Sequence, residues 1–201
     1  MAEFQKPAPL KISCTATDCD NNLHCFKTHR KMAAGDQGKC RQCGADLVDW
    51  TRVHLRNIAD AGHTFAALKH ELIRHHFFHK AIDDTAITHA RRKGRIDLYL
   101  AVRSRVEKCL APAEPPRDGR QTPLEGNAIY YAQHATACCC RKCLEYWHAI
   151  PQGRSLTAKE IEYCVALIDL YLKERLPNLK DEPEKVPRRR NAHPEAHGAR
   201  S

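Results

Sequence analysis

Nine of the eleven cysteines in this 201-residue chain fall into two short clusters, and no other feature constrains the fold as strongly. One cluster runs from Cys14 to Cys43, and the other places four cysteines between Cys138 and Cys143. The first residues lack the apolar segment of a secretory signal, so we expect a cytoplasmic protein. Disulfide frameworks are rare in that reducing compartment, and clustered thiols there are typical of metal ligands.

The first cluster contains Cys40-Arg-Gln-Cys43-Gly44, in which two thiolates separated by two residues can hold one tetrahedral ion. The glycine lets the backbone turn back toward the sulfurs. The polar segment 14–50 has few apolar residues to bury, which favours folding around a metal. We therefore predict a structural zinc ribbon or knuckle there, with Cys14 and His24 as alternative ligands. The predicted ligands are Cys19, Cys25, Cys40 and Cys43.

The second cluster repeats the two-residue spacing between Cys140 and Cys143, beside Cys139 and Cys138. Zinc and an iron–sulfur cluster both use dense thiolates, and the spacing leaves these two cofactors open. Three protein ligands would leave a coordination position for catalysis, whereas four would close the site. The candidate ligands are Cys139, Cys140, Cys143, His134 and His148.

The rest of the chain is typical of a mainly α protein, a small helical domain over residues 51–176. Residues 1–13 are expected to be a flexible lead-in, and residues 177–201 a disordered charged tail. Cys109 and Cys164 stand apart from the clusters and are predicted to be core residues.

Three stretches carry helical apolar spacing. The stretch 58–80 predicts one helix with a face formed by Phe65, Leu68, Leu72, Ile73, His76 and Phe77. A long second stretch is interrupted at Gly94, which predicts a joint, and its stripe is Ile96, Tyr99, Val102, Val106 and Leu110. The last helix begins at a capping box of Thr157 and Glu160 and presents Ile161, Val165, Ile168 and Leu172.

The chain carries 33 Lys and Arg against 24 Asp and Glu, a formal charge of +9. Such a surplus favours a polyanionic partner, and DNA or RNA is the usual one. The densest basic run predicts a phosphate-contacting patch, with a solvated helix face as the alternative. This run consists of Arg91, Arg92, Lys93 and Arg95.

The segment HELIRHHFFH resembles a zinc-protease motif but fails it, because the position four residues after His70 is Arg74 rather than histidine. Glu71, His75 and His79 remain candidates for a catalytic group, with an ordinary helix surface as the alternative. Phosphate-loop, nucleophile-elbow and dinucleotide-binding glycine patterns are absent from the sequence, which argues against nucleotide hydrolases and ordinary dehydrogenases.

Four unusual motifs occur together between residues 109 and 172: DGRQTP from Asp118, QHATA from Gln133, CCRKCL from Cys139, and Trp147-His148. In these motifs the chain resembles a prokaryotic family of small proteins known only as a domain of unknown function. The resemblance implies a shared fold and site, and it brings no established activity. It also implies that Cys138, which stands where the family has threonine, is the least suited ligand of its cluster. The N-terminal cysteine group is then an added zinc module.

Three functions remain open from the sequence. The first is a metal-stabilised protein that binds nucleic acid. The second is a metal-dependent enzyme acting on DNA or RNA, of the nuclease or base-excision type. The third is a zinc-stabilised adaptor for a protein partner. No apolar run in the sequence approaches the roughly 20 residues of a membrane span, so no membrane partner is expected, and nothing in the sequence indicates an oligomeric state.

Overall fold

A computed structural model describes residues 12–186 of the chain. Regular structure in this range is helical apart from two isolated bridges, so the protein is mainly helical, as the sequence predicts. No helix in this part of the chain is both long and apolar enough to cross a membrane. The helices are α1 Trp50–His54, α2 Ala61–Leu68, α3 Leu72–His79, α4 Asp84–Cys109, α5 Ala128–Ala135, α6 Arg141–His148 and α7 Ala158–Arg175.

The last helix, α7, lies at the centre of the core and packs against α2, α4 and α5. Its predicted capping box is confirmed, since Thr157 accepts from the Glu160 amide and the Glu160 carboxylate accepts from the Thr157 amide. Three of its four predicted apolar positions, Val165, Ile168 and Leu172, are buried. Burial of this face is the main force that docks the helix, because apolar area removed from water stabilises the folded state.

The single helix expected over residues 58–80 is two helices, α2 and α3, separated by a break at Lys69–Glu71. The N-terminal segment causes the break by pairing with it. The amide of His24 donates to the carbonyl of His70 at 2.8 Å, and the amide of Leu72 donates to the carbonyl of His24 at 2.9 Å. These bonds take backbone groups that a continuous helix would satisfy internally.

The helix α4 has its predicted joint at Gly94, where φ is 69° and ψ is 172°. This conformation is accessible almost only to glycine, and it resets the phase of the helix. The stripe predicted after the joint is wrong in its first two positions: Ile96 is 56% exposed and Tyr99 is 36% exposed, and Leu98 is buried instead. Val102, Val106 and Leu110 are buried as predicted.

An aromatic cluster joins the N-terminal segment to the helices. Phe26 lies edge-on to Trp147 of α6, with ring centroids 6.1 Å apart, and Trp50 of α1 lies 5.0 Å from the same indole. Phe26 and Trp50 therefore pack the N-terminal segment against α6, and Cys14 of this segment lines a cavity together with Cys140 and Cys143.

Candidate metal centres

The first candidate centre gathers three thiols and one imidazole from the N-terminal segment. Their ligand atoms all lie within 4.8 Å of one another, and the sulfurs of Cys19 and Cys40 are 3.8 Å apart. Four ligands around a tetrahedral zinc with bonds of about 2.3 Å would place two sulfurs about 3.8 Å apart. The group therefore has the composition and spacing of a closed site. Its members are Cys19, His24, Cys40 and Cys43.

Two tight turns present these ligands. The first reverses at Asn22, which has a φ of 58°, and is closed by an antiparallel bridge between Asp18 and Leu23. The second is the knuckle, in which the Gly44 amide donates to the Cys40 carbonyl at 2.8 Å and Gly44 has a φ of 77°. Both reversals need the left-handed conformation that asparagine and glycine tolerate best.

The imidazole of His24 is held on both sides. Its Nδ1 lies 3.4 Å from the sulfur of Cys43, and its Nε2 lies 3.0 Å from the Oδ1 of Asn22. A second hydrogen bond of this kind fixes the ring and leaves the other nitrogen to the metal.

The structure does not bring Cys25, predicted as a ligand, into this group. Cys25 is fully buried, and its thiol donates to the carbonyl of Cys14 at 3.6 Å. Burial raises the pKa of Cys25, which favours a neutral core thiol. Neighbouring side chains in extended backbone face opposite ways, so His24 faces the thiols when Cys25 faces the core. The four-residue gap between Cys19 and His24 was the sequence signal for this ligand set.

The second candidate centre brings together Cys139, Cys140 and Cys143, with all three sulfurs within 4.8 Å of one another. Cys140 is the N-cap residue of α6 and Cys143 lies in its first turn. The positive end of the helix dipole favours thiolates at this position. The sulfurs of the adjacent cysteines Cys139 and Cys140 thus belong to one group, although neighbouring side chains usually diverge.

Neither predicted histidine joins these three thiols. His134 places its Nε2 3.1 Å from the carbonyl of Pro123, and its ring stacks on Phe77 with centroids 4.6 Å apart. Burial lowers the pKa of His134 to about 4, which keeps the ring neutral. His148 is buried, with its Nε2 3.0 Å from the carbonyl of Thr136. Among the described residues, this metal-ligating group has three members.

A buried ion pair lies directly beside the second centre. Arg74 donates through Nε to Glu71 at 3.0 Å and through Nη2 to the sulfur of Cys143 at 3.3 Å. The carboxylate of Glu71 also accepts from the Tyr146 hydroxyl at 2.8 Å and from the Trp147 indole at 2.6 Å. Burial raises the pKa of Glu71, and Arg74 together with these two donors opposes that rise. The arginine that breaks the protease motif therefore contacts the thiols.

The proposed catalytic group of Glu71, His75 and His79 is not assembled by its side chains. The Glu71 carboxylate faces Arg74 and the aromatic residues of α6, as above, whereas His75 and His79 stack on each other with centroids 4.0 Å apart. Glu71 lies at the start of α3 and is fully buried, so its carboxylate is in the protein interior and not beside His75 and His79.

Residues of the DGRQTP, QHATA and CCRKCL motifs form hydrogen bonds that hold the cysteine loop in place. The hydroxyl of Thr122 donates to the Cys139 carbonyl at 2.9 Å, and the Gln133 amide donates to the Cys138 carbonyl at 3.0 Å. Arg141 is buried and donates to four backbone carbonyls, those of Leu110, Pro112, Pro151 and Arg154. These bonds fix the loop, because buried carbonyl groups are costly to leave unpaired.

A cavity of about 790 Å³ opens beside the second centre. Cys140 and Cys143 line it together with Arg74. Trp50 and Tyr146 form an aromatic side of the cavity, with ring centroids 6.4 Å apart. The three-thiol centre therefore faces a space that a small molecule can enter.

The basic run predicted to contact phosphate lies against the chain's own C-terminal segment. Arg91 pairs with Glu184 at 2.6 Å, and Arg95 donates to the carbonyls of Leu176 and Leu179. Arg92 donates to the Val186 carbonyl, and Lys93 is partly exposed. Residues 177–186, the start of the predicted disordered tail, thus lie on α4. The rest of that tail, residues 187–201, and residues 1–11 of the predicted lead-in lie outside the described range.

The comparisons with known proteins return one family. A family model described as "Domain of unknown function (DUF4186)" matches residues 62–173, more than half of the chain. The matched region contains the second centre with Glu71 and Arg74, and it excludes all four residues of the first centre. No solved structure matches the chain. The resemblance seen in the sequence motifs is confirmed, and the chain belongs to this domain family, which has no established activity.

Proposed function

We propose that the protein is a zinc-dependent enzyme in which one metal stabilises the fold and the other serves the reaction. The first centre offers four ligands and is closed, as in structural zinc sites. The second offers three thiols beside a cavity, and this open side carries the proposal. Zinc bound by three protein ligands supplies a Lewis acid with a position for water or substrate.

Zinc is our choice over an iron–sulfur cluster at the second centre. Sulfurs within 4.8 Å of one another suit a single ion, whereas a cluster spreads its thiolates over different iron atoms. Three thiolates would leave a zinc site with one negative charge, which weakens a Lewis acid. The guanidinium of Arg74, which pairs with Glu71, also donates to the sulfur of Cys143 at 3.3 Å and so offsets part of that charge.

The remaining parts of the proposal follow from the chemistry of the thiols. Both centres need reduced cysteines, which fits a cytoplasmic location. Residues 14–50 form a module whose folding depends on its metal. This module lies on the helical body formed by residues 51–176. The basic side chains on α4 are weaker evidence for a nucleic-acid partner than the cavity is. Arg91 and Arg95 already bind the C-terminal segment and are not free to contact phosphate.

The test is metal analysis followed by cobalt substitution of the full chain purified without oxygen. We expect two zinc ions per chain, falling to one in His24→Ala and to one in Cys143→Ser. With cobalt in place of zinc, azide should change the visible thiolate–cobalt spectrum of His24→Ala, which keeps only the open centre. The spectrum of Cys143→Ser should not respond, because its remaining site is closed.

Two results would overturn the proposal. A wild-type protein without bound zinc, or with iron in proportion to sulfide, would exclude a mononuclear zinc centre. An azide-insensitive spectrum in both the wild type and His24→Ala would mean that the second centre is closed and structural. Circular dichroism of each variant keeps these results separate from a loss of folding.

A further inference from the structure

We infer that the cavity beside Cys140 and Cys143 binds a nucleotide unit, a planar base that carries a phosphate. This inference deepens the proposed function, since it names the substrate class for the same centre. The ligand can be a free nucleotide or the end of a single strand, because both present the same base and phosphate.

The size of the cavity is the first argument. Small-molecule sites have volumes of roughly 300–1,000 Å³, and this cavity measures about 790 Å³. It therefore has room for one nucleotide unit beside the thiols. The two cysteines on its wall place any occupant next to the second metal.

The aromatic wall is the second argument, because flat rings at cavity surfaces stack on nucleobases. Trp50 is partly exposed, and its indole N–H donates to the carbonyl of Gly38 at 2.8 Å, which fixes the ring plane. A Cβ at position 38 would lie 2.6 Å from the indole nitrogen, so the ring occupies space that only glycine leaves free. The Tyr146 hydroxyl is bound to Glu71, so this second ring is fixed as well.

The charge of the cavity is the third argument. Lys27 and Lys142 line it, both are exposed, and within residues 12–186 neither ammonium group has a carboxylate partner. The cavity's one acidic side chain, Glu145, accepts at 2.6 Å from Gln152. Two ammonium groups against one carboxylate leave a surplus of positive charge near fixed rings, which favours an anion attached to a planar group, and phosphate is a usual partner of lysine.

Tryptophan fluorescence of the zinc-loaded full chain tests the inference. Of the two tryptophans, Trp50 lines the cavity and Trp147 is fully buried, so quenching reports on Trp50. We expect saturable quenching by adenosine monophosphate and about tenfold weaker binding of adenosine, which lacks the phosphate. The double variant Lys27→Gln/Lys142→Gln should lose at least about tenfold in affinity for the nucleotide. Lys159→Gln, an exposed lysine outside the cavity, should bind as the wild type does.

A short single-stranded DNA separates the two sources of the ligand. Tighter binding of the oligonucleotide than of adenosine monophosphate identifies a strand end, and equal binding identifies a free nucleotide; either outcome supports the inference. It would be overturned if neither nucleotide nor oligonucleotide bound, or if adenosine bound as tightly as its monophosphate. Unchanged affinity in Lys27→Gln/Lys142→Gln would also overturn it.

Failure of this inference can be told from failure of the proposed function. The same samples are assayed for zinc content and for the azide response after cobalt substitution. Two zinc ions and an azide response without nucleotide binding would refute the ligand and leave the open metal centre. Nucleotide binding by a protein with a closed second centre would support the ligand and refute the open metal centre.

Discussion

The guanidinium of Arg74 lies 3.3 Å from the sulfur of Cys143, although 69 positions separate the two residues in the sequence. The same guanidinium holds Glu71 at 3.0 Å, and both side chains of this ion pair are almost fully buried. The neighbouring thiols Cys139 and Cys140, together with Arg74, hold the pKa of Cys143 well below its usual range. The side chains between α3 and α6 therefore stabilise the thiolate form of Cys143.

Replacing Arg74 by glutamine should damage both the metal centre and the fold. We expect zinc affinity at the second centre to fall about 10–100-fold, the usual effect of losing a side chain that supports a ligand. Stability should fall by about 3–5 kcal/mol, because Glu71 is left as an uncompensated buried charge. Competition with a chromogenic chelator and urea unfolding measure the two effects.

The matched control is Arg103→Gln, which removes an arginine from a partly exposed pair with Glu162. Such pairs contribute about 1 kcal/mol or less. Adding Glu71→Gln to Arg74→Gln should restore part of the lost stability. If the single Arg74 variant binds two zinc ions with unchanged affinity, the guanidinium does not support the thiolates.

His24→Ala and Cys25→Ala distinguish the ligand set in the structure from the one predicted by spacing. His24→Ala should retain one zinc ion per chain, since it removes a member of the first centre. Cys25→Ala should retain both zinc ions and lose about 1 kcal/mol of stability, because it deletes a buried core thiol. Zinc content of the purified variants decides between them, and one zinc ion in Cys25→Ala with two in His24→Ala would reverse the assignment.

Gly94→Ala should release the C-terminal segment from α4. Position 94 has a φ of 69°, and a Cβ there would meet the backbone of Asp181 and Glu182. We expect a loss of about 1–3 kcal/mol from backbone strain, together with faster proteolysis within residues 177–186. Gly62→Ala is the control, because nothing lies within 4 Å of a Cβ at position 62 and alanine favours helix. Equal protection of the segment in both variants would contradict this account.

The ion pair of Glu160 and Arg154 predicts a defined acid dependence. The Arg154 guanidinium, 2.6 Å away, lowers the pKa of Glu160 from 4.5 to about 2. A carboxylate whose pKa is lowered by folding stabilises the protein above its unfolded pKa and loses that contribution as the pH falls. Glu160→Gln should therefore be about 1–2 kcal/mol less stable than the wild type at pH 7, after discounting for the exposed arginine.

This difference should shrink as the pH falls from about 4.5 to about 2. Chemical denaturation of both proteins across this range measures it, and loss of metal in acid affects the two equally. Glu114→Gln, at an exposed position, serves as the control for the substitution itself. A constant difference between Glu160→Gln and wild type at all pH values would show that the ion pair contributes nothing.

Short-range spacing predicted much of this protein. The pairs Cys40–Cys43 and Cys140–Cys143, the capping box at Thr157 and the joint at Gly94 are each encoded within a few residues of sequence. These features depend on local geometry: the reach of two thiols, the free amides of a first helical turn, and the conformations open to glycine. The mainly helical fold follows from the same local periodicity.

Long-range contacts decided the rest. His24, rather than Cys25, joins the first candidate centre where the N-terminal segment crosses the start of α3, and that crossing also divides one predicted helix into two. Arg74 reaches Cys143 only because α3 packs beside the cysteine loop, and Arg91 binds Glu184 only because the chain returns along α4. Spacing fixes which groups can meet within a turn. Which face of an element is covered, and by what, depends on packing between segments far apart in the sequence, and only the tertiary structure shows it.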